Sequence, residues 1–426
     1  MRRDKLLAIS LFVALTAESQ DMYRGRLWTP MKLFDWFIAP LPIKLCPFQL
    51  LCVLFIVLAN RGARLSNKHP MVMAVRLSFG TIVWAILFGL AGGGNIRPMH
   101  PQTFGWISGL LFAMAVMANC TTFDSIRRIW TAVVYAGLYR SVTAIVFYLM
   151  VRGEQHMPDT MTTHDDSVLF VVAFLILAST FLESRTKRSV RALSLGGTLL
   201  LLAIQFNNRR LAWASLLGGL VTLYLLLPKK SKALAKANRI ALIIAPVILA
   251  YVVVGWGRPE KIFKPLASLS SMGAGERDAS SIARDVENEG LMIMVGQRPL
   301  LGTGLGHEWL EVSSTYTVPV TVFPNYHYIP HNNVEALFAF LGGLGFAGLF
   351  MVYPTTAFLS YRTYRQSSDP KVRVIAAVGV SQLVVVGNQF FGDMGFISLT
   401  PAVIACAGFA TVARLSVVTQ TWPPRT

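Results

Sequence analysis

Apolar residues along this chain cluster into runs of about 16 to 23, long enough to cross a hydrocarbon core of about 30 Å as helices. Short polar segments rich in Lys, Arg, Gly and Pro separate them. The pattern predicts about 12 helices, over 5–18, 42–60, 70–91, 103–119, 129–151, 167–183, 191–206, 211–227, 238–256, 334–356, 372–390 and 395–413. Barrel strands are excluded because the runs are too long and too evenly apolar. The expected fold is therefore all-α, a polytopic transmembrane helical protein. One polar segment, 257–333, is far longer than the other connections, and a loop of that length is usually functional or disordered. It carries Trp309, Tyr316, Phe323, Tyr326 and Tyr328, and an amphipathic run at 281–297 predicts that it is partly helical. The chain thus divides into a membrane region at 1–256 with about nine spans, a loop at 257–333, and a membrane region at 334–426 with about three spans.

Composition agrees with the pattern. Hydrophobic residues make up 54% and charged residues 14%, with a mean hydropathy of +0.53, which excludes a soluble globule. The four cysteines sit in or beside apolar runs with no paired spacing, so free thiols are expected rather than a disulfide framework. The net charge of +18 adds something further. With the N-terminus inside, the inner segments carry about +19, the outer segments about −3, and Arg76 and Arg140 lie within spans. The charge is an orientation signal and argues for no nucleic-acid partner. It places both termini in the cytoplasm and the 257–333 loop outside. The basic, apolar start MRRDKLLAISLFVALTAESQ reads as an uncleaved first helix.

Three features converge on the outer face. In FNNRRLAW, Arg209 and Arg210 occupy a very short turn; either one alone reads equally well as a snorkelling anchor. Together, after two asparagines on the less basic side, they fit a clamp for a phosphate. In SSIARDVENEG, Arg284 opens the amphipathic run, with Leu291, Met292, Met294 and Val295 on one side; taken alone it reads as an ion pair with Asp285, Glu287 or Glu289. The turn Gly302-Thr303-Gly304-Leu305-Gly306 lacks the strand and the Lys-Ser/Thr of a nucleotide loop, and instead predicts a flexible backbone that approaches a ligand. In PNYHYIPHNN, His327 and His331 precede an apolar helix. A helix-capping role is the plain alternative to a general base with an ordinary pKa near 6.5. The His-x3-His spacing lacks a third ligand for zinc, so no metal is expected. Asp393, between the last two spans, reads either as a further acid or as a solvated turn residue.

PLLGTGLG, followed by HNN ahead of ALFAFLGGLGFAGL, resembles the signature region of the O-antigen ligase and O-antigen polymerase superfamily. Arg284 stands 15 residues before Pro299, the family's spacing for its loop arginine, although Asn288 replaces the aromatic often found four residues after it. NNRRLAW is similar to the family's Ser-Arg-Gly-Ala-Trp-like element, with Arg210 the better match and Asn-Arg in place of Ser. The resemblance covers about residues 200–350 and implies a glycosyltransferase of the bacterial inner membrane, active at its periplasmic face. Such an enzyme moves a glycan from an undecaprenyl-diphosphate carrier to the lipid A core or to another lipid-linked repeat, without cofactor, nucleotide sugar or essential metal. In that reading His331 is the base, Arg210 and Arg284 meet the diphosphate, and Arg209, Asn332, His327, Tyr328 and Trp309 contact substrate. Membrane lipids and a chain-length regulator are the further implied partners. The alternative, a transporter or flippase for lipid-linked oligosaccharide, calls for mid-span charges and paired broken helices in two related halves. The chain offers only Arg76, Arg140 and no half-repeat.

Overall fold

The computed structural model describes residues 3–17, 45–60, 64–154, 158, 160–184, 186–258, 260, 263, 266, 279–313, 325–393 and 398–422. Among these residues the regular structure is helical, with no strand. In chain order the helices are α1 (Arg3–Ala17), α2 (Pro47–Val57), α3 (Pro70–Ala91), α4 (Ile96–Asn119), α5 (Phe123–Val151), α6 (His164–Glu183) and α7 (Lys187–Asn207, with a π turn at Ala192–Gly197). They continue with α8 (Arg210–Leu226), α9 (Lys232–Gly255), α10 (Ala279–Gln297), α11 (Asn333–Phe350), α12 (Val352–Gln366), α13 (Pro370–Gly392) and α14 (Leu399–Val418). Taking α11 and α12 as one, nine helices among the described residues are long and apolar enough to cross a membrane, and α2 and α8 are shorter apolar helices.

Several helices begin earlier than hydropathy alone indicates, because caps extend them through polar residues. Asn95 accepts from the Arg97 N–H to start α4, and Thr122 forms a capping box with Ser125 to start α5. The run expected to end at 356 continues through the polar YRTYRQ as α12. There the Tyr364 hydroxyl donates to Glu183 (2.6 Å) and Arg373 donates to Tyr364 (2.7 Å).

The core centres on α14, which is buried along almost its whole length and packs chiefly against α4 and α13. At the other extreme, α9 leaves its apolar stretch uncovered, as suits a lipid-facing helix at the edge of a bundle. Arg76 and Arg140, the cations that the sequence places within spans, have local partners. Arg76 reaches the Asn67 side chain (2.8 Å), while Arg140 forms a two-point pair with Asp166 (2.8 and 2.5 Å).

One element organises the end of the bundle that carries α10. Helix α11 breaks at Gly342 (φ 64°, ψ 178°), freeing backbone groups that must find other partners inside an apolar bundle. Residues 299–306 supply them. Gly343 and Leu344 donate to the carbonyls of Pro299 (2.7 Å) and Leu300 (3.2 Å), and Thr303 and Gly304 donate to Ala339 (3.1 Å) and Phe340 (2.8 Å). The strap then crosses to α3 and α4. Leu305 donates to the Ala85 carbonyl (3.1 Å), and Asn95 donates to that of Gly306 (2.8 Å). Gly302, Gly304 and Gly306 all have φ between 65° and 85°, and a Cβ on Gly304 would lie 2.3 Å from the Gly89 Cα. The expectation of a flexible turn approaching a ligand is therefore corrected: the close approach is to α3 and α11, and the hydrogen bonds lock it.

Candidate active site

Helix α10 lies against the start of α11. Its buried positions, Glu287, Gly290, Leu291, Met294 and Val295, follow helical periodicity, and Gly290 meets the Leu310 carbonyl where a Cβ would have no room. Met292, expected on this face, instead points outward. Glu287 is only 1% exposed, and a carboxylate so placed needs partners. It receives the backbone N–H groups of His331 and Asn332 (the latter at 3.3 Å), and His331 Nδ1 lies 3.0 Å from its other oxygen. A ring that donates to this carboxylate does so from Nδ1, which leaves Nε2 as the nitrogen turned away from Glu287. The His331 side chain is 29% exposed, and Asn332 caps α11 by accepting from the Glu335 N–H (3.2 Å). The capping role in HNN thus falls on Asn332, with His331 beside it.

The arginine turn is shaped by its two asparagines. Asn207 is fully buried: its Oδ1 accepts from the Thr162 N–H (2.9 Å), and its Nδ2 donates to the Thr163 carbonyl (3.1 Å) and Ser167 Oγ (2.9 Å). Asn208 takes the left-handed conformation (φ 52°) that ends α7, a conformation Asn tolerates better than most residues. These two residues turn the chain so that Arg209 folds inward and donates to Thr160 Oγ1 (3.2 Å), while its buried Nε has no hydrogen-bond partner among the described residues. Burial pulls the Arg209 pKa below the usual guanidinium range. Asp393 opposes that shift, Arg284 adds to it, and Asp165 opposes it. Arg209 and Arg284 therefore lie within each other's field, with two acids beside them. Arg210, at the first position of α8, is exposed. Arg209 is the more buried of the two and lies within the field of Arg284.

Asp393 is buried rather than a solvated turn residue. It pairs with His164 and accepts from Gln389 Nε2 (3.3 Å). Because Arg284 and Glu287 stand three residues apart on one helix, α10 presents one group to Arg209 and the other to His331.

The loop aromatics form the floor behind His331. Trp309 is 3% exposed, donates from Nε1 to the Tyr326 carbonyl (2.9 Å) and from its backbone N–H to the His327 carbonyl (2.8 Å), and meets the Tyr326 ring edge-on at 5.5 Å. Its ring is packed within the loop. Tyr326 lies 6.4 Å from the His331 ring, and burial, together with Glu287 and Glu311, pushes its hydroxyl up to about 12. Tyr328 is half-buried and hydrogen-bonded to Glu308 and Asn95; burial and Glu308 raise its pKa. His327 faces Glu311 (4.0 Å), so the two histidines turn to different carboxylates. Tyr316 and Phe323 lie outside the described residues.

Sequence reasoning did not single out Glu287, which it named only with Asp285 and Glu289 as alternative partners for Arg284. The available signal was its register: Glu287, Leu291 and Met294 share one stripe, so an acid was facing the core. Residues 195–350, which contain the arginine turn, α10, the glycine strap and His331, match the family described as O-antigen ligase. No curated protein matches the chain.

Proposed function

From the match of residues 195–350 to the O-antigen ligase family, which supports a membrane glycosyltransferase of that general type, we propose the following reaction. The donor is a glycan on an undecaprenyl-diphosphate carrier. The acceptor is a hydroxyl of the lipid A core or of a second lipid-linked repeat. The acceptor oxygen attacks the anomeric carbon, and its proton passes to His331 Nε2. The bond from that carbon to the diphosphate oxygen breaks, and the departing diphosphate keeps the electron pair. Arg209 and Arg284 are set to meet its growing charge, with Arg210 at the mouth of the turn where the lipid carrier arrives. Glu287 holds the imidazole in the tautomer that a base needs and stabilises the imidazolium that forms. Asn332 fixes the start of α11, and His327 and Tyr328 line the approach for sugar hydroxyls.

The observation that carries this reading is the Glu287–His331 pair, one helical turn from Arg284 and its neighbour Arg209. The reading places the chain in the bacterial inner membrane with about 12 spans, both termini cytoplasmic and 257–333 periplasmic. It requires neither metal nor cofactor, and a chain-length regulator is a fitting partner. Deleting the protein and sizing the strain's surface glycans tests it. Accumulated lipid-linked single repeats would mark a polymerase, and full-length polymer not joined to lipid A core would mark a ligase. Unchanged glycans would overturn the reading. Topology is checked separately by reporters fused near residue 315, expected outside, and near 233, expected inside.

A further inference from the structure

Helix α3 joins two ends of the molecule. Its last turn meets the glycine strap at Leu305, and its first residue follows His69. With 22 residues at about 1.5 Å each, the two ends are roughly 33 Å apart. At the His69 end, away from the candidate active site, lies a cavity of about 840 Å³ walled by Arg64, Lys68, His69, Thr121, Arg414 and Trp422 among others. Three permanent cations line it and no carboxylate does among the described residues. Asp4, the acid on neighbouring α1, is taken up by Arg128.

These cations do more than mark the inner face. Arg414 is 5% exposed, set toward the C-terminal end of the most deeply buried helix, and its guanidinium forms the buried base of the cavity. The wall opposite is fixed. Trp422 is held beneath Arg362, whose Nε also donates to the Thr421 carbonyl (2.8 Å). His69 is bound on both ring nitrogens, to the Met71 N–H (3.2 Å) and Ser416 Oγ (3.3 Å). Burial and the nearby Arg414 hold His69 down to about 4, so it supplies shape and hydrogen bonding rather than charge. Arg64 and Lys68 stand exposed at the rim.

We propose that this cavity binds a phosphate-bearing anion, either the headgroup of an anionic phospholipid or free phosphate. A buried guanidinium at the base, two flexible cations at the rim and the Thr121 hydroxyl match a phosphodiester, and basic pockets between spans at the cytoplasmic side are suited to lipid headgroups. The site is independent of the glycan chemistry at the far end.

Native mass spectrometry of the whole protein in detergent, titrated with phosphatidylglycerol, phosphatidylethanolamine or inorganic phosphate, tests this. Retention of one phosphatidylglycerol in preference to phosphatidylethanolamine is expected. Arg64→Gln and Lys68→Gln should each weaken it by about fivefold, since a cation near a charged lipid surface is worth about that much. Both residues are exposed, so neither change threatens folding. Lys232→Gln, an exposed cation at the start of α9, should leave binding unaltered. Displacement by inorganic phosphate would identify the free anion as sufficient, and resistance to displacement would identify the lipid; either supports the site. Equal retention of both lipids with no phosphate binding, or no loss in the Arg64→Gln/Lys68→Gln double variant, would overturn it. Because the readout is binding, this result stands apart from any failure to find glycan transfer.

Discussion

The glycine strap at 299–306 and the Glu287–His331 pair adjoin one another at the same end of the bundle, yet they depend on different parts of the chain. The strap is a backbone construction. Its hydrogen bonds join main-chain atoms of α3, α4 and the broken α11, apart from the Gly306 N–H, which donates to Gln102 Oε1 (2.8 Å), and its glycines serve by having no side chain. The pair is a side-chain construction, in which one buried carboxylate gathers a ring and two backbone N–H groups. The contrast teaches that the first should fail as a fold and the second as a catalyst. Gly304→Val breaks the strap most directly. The left-handed backbone alone disfavours a side chain by about 1–2 kcal/mol, and the Cβ would also collide with Gly89. Inserted protein should fall to a small fraction of wild type on a membrane immunoblot. Normal abundance would remove the strap from the account of the fold.

The pair should respond in the opposite way. His331→Ala is expected to keep wild-type abundance and lower glycan transfer by about 10² to 10⁴, the usual range for a lost general base. Glu287→Gln should lie between that variant and wild type, because the amide keeps one acceptor for the backbone but no longer fixes the ring's tautomer. A Glu287→Gln variant that is fully active but poorly inserted would place Glu287 with the strap, as a folding residue. The arginine turn comes next in size. Arg209→Ala should cost about 10² to 10³ in transfer, as for other fixed groups that meet developing charge. Arg210→Ala, at an exposed position, should cost less. The reverse order, measured with both proteins equally abundant, would favour the family-like assignment of Arg210 and leave Arg209 as a packing residue.

How much of this was legible in the sequence follows from the same division. The apolar runs announced the helices, because burial in lipid is written in composition over many residues. Helix starts were blurred wherever a cap such as Asn95 or Thr122 carried the helix into polar residues. His331 and Arg284 could be named from their order and spacing. Their partners could not: Glu287 has three nearby charged neighbours in sequence, and only the rotation of α10 decides that it faces His331. That Arg209 turns inward while Arg210 stays exposed depends on the left-handed Asn208 and the anchored Asn207, two residues that sequence reading had treated as a preface to the arginines. The glycines were visible as a pattern, but the kink at Gly342 that gives them their task lies about 40 residues downstream and is a contact between two segments.

Trp309 tests the boundary between the two constructions with the smallest expected effect. Its indole N–H reaches the Tyr326 carbonyl and its ring packs beside His327, so it belongs to the floor under the pair although it is itself a side chain. Trp309→Phe keeps an aromatic ring and removes one hydrogen bond, typically a net change of about 1 kcal/mol. Thermal unfolding in detergent should therefore shift slightly, with the KM for the acceptor unchanged and kcat lowered only as far as His331 is loosened. If the ring instead meets a sugar, KM should rise while unfolding stays the same. A change in KM without a change in stability would move Trp309 from the floor to the substrate surface, and with it the line between what holds this site and what it holds.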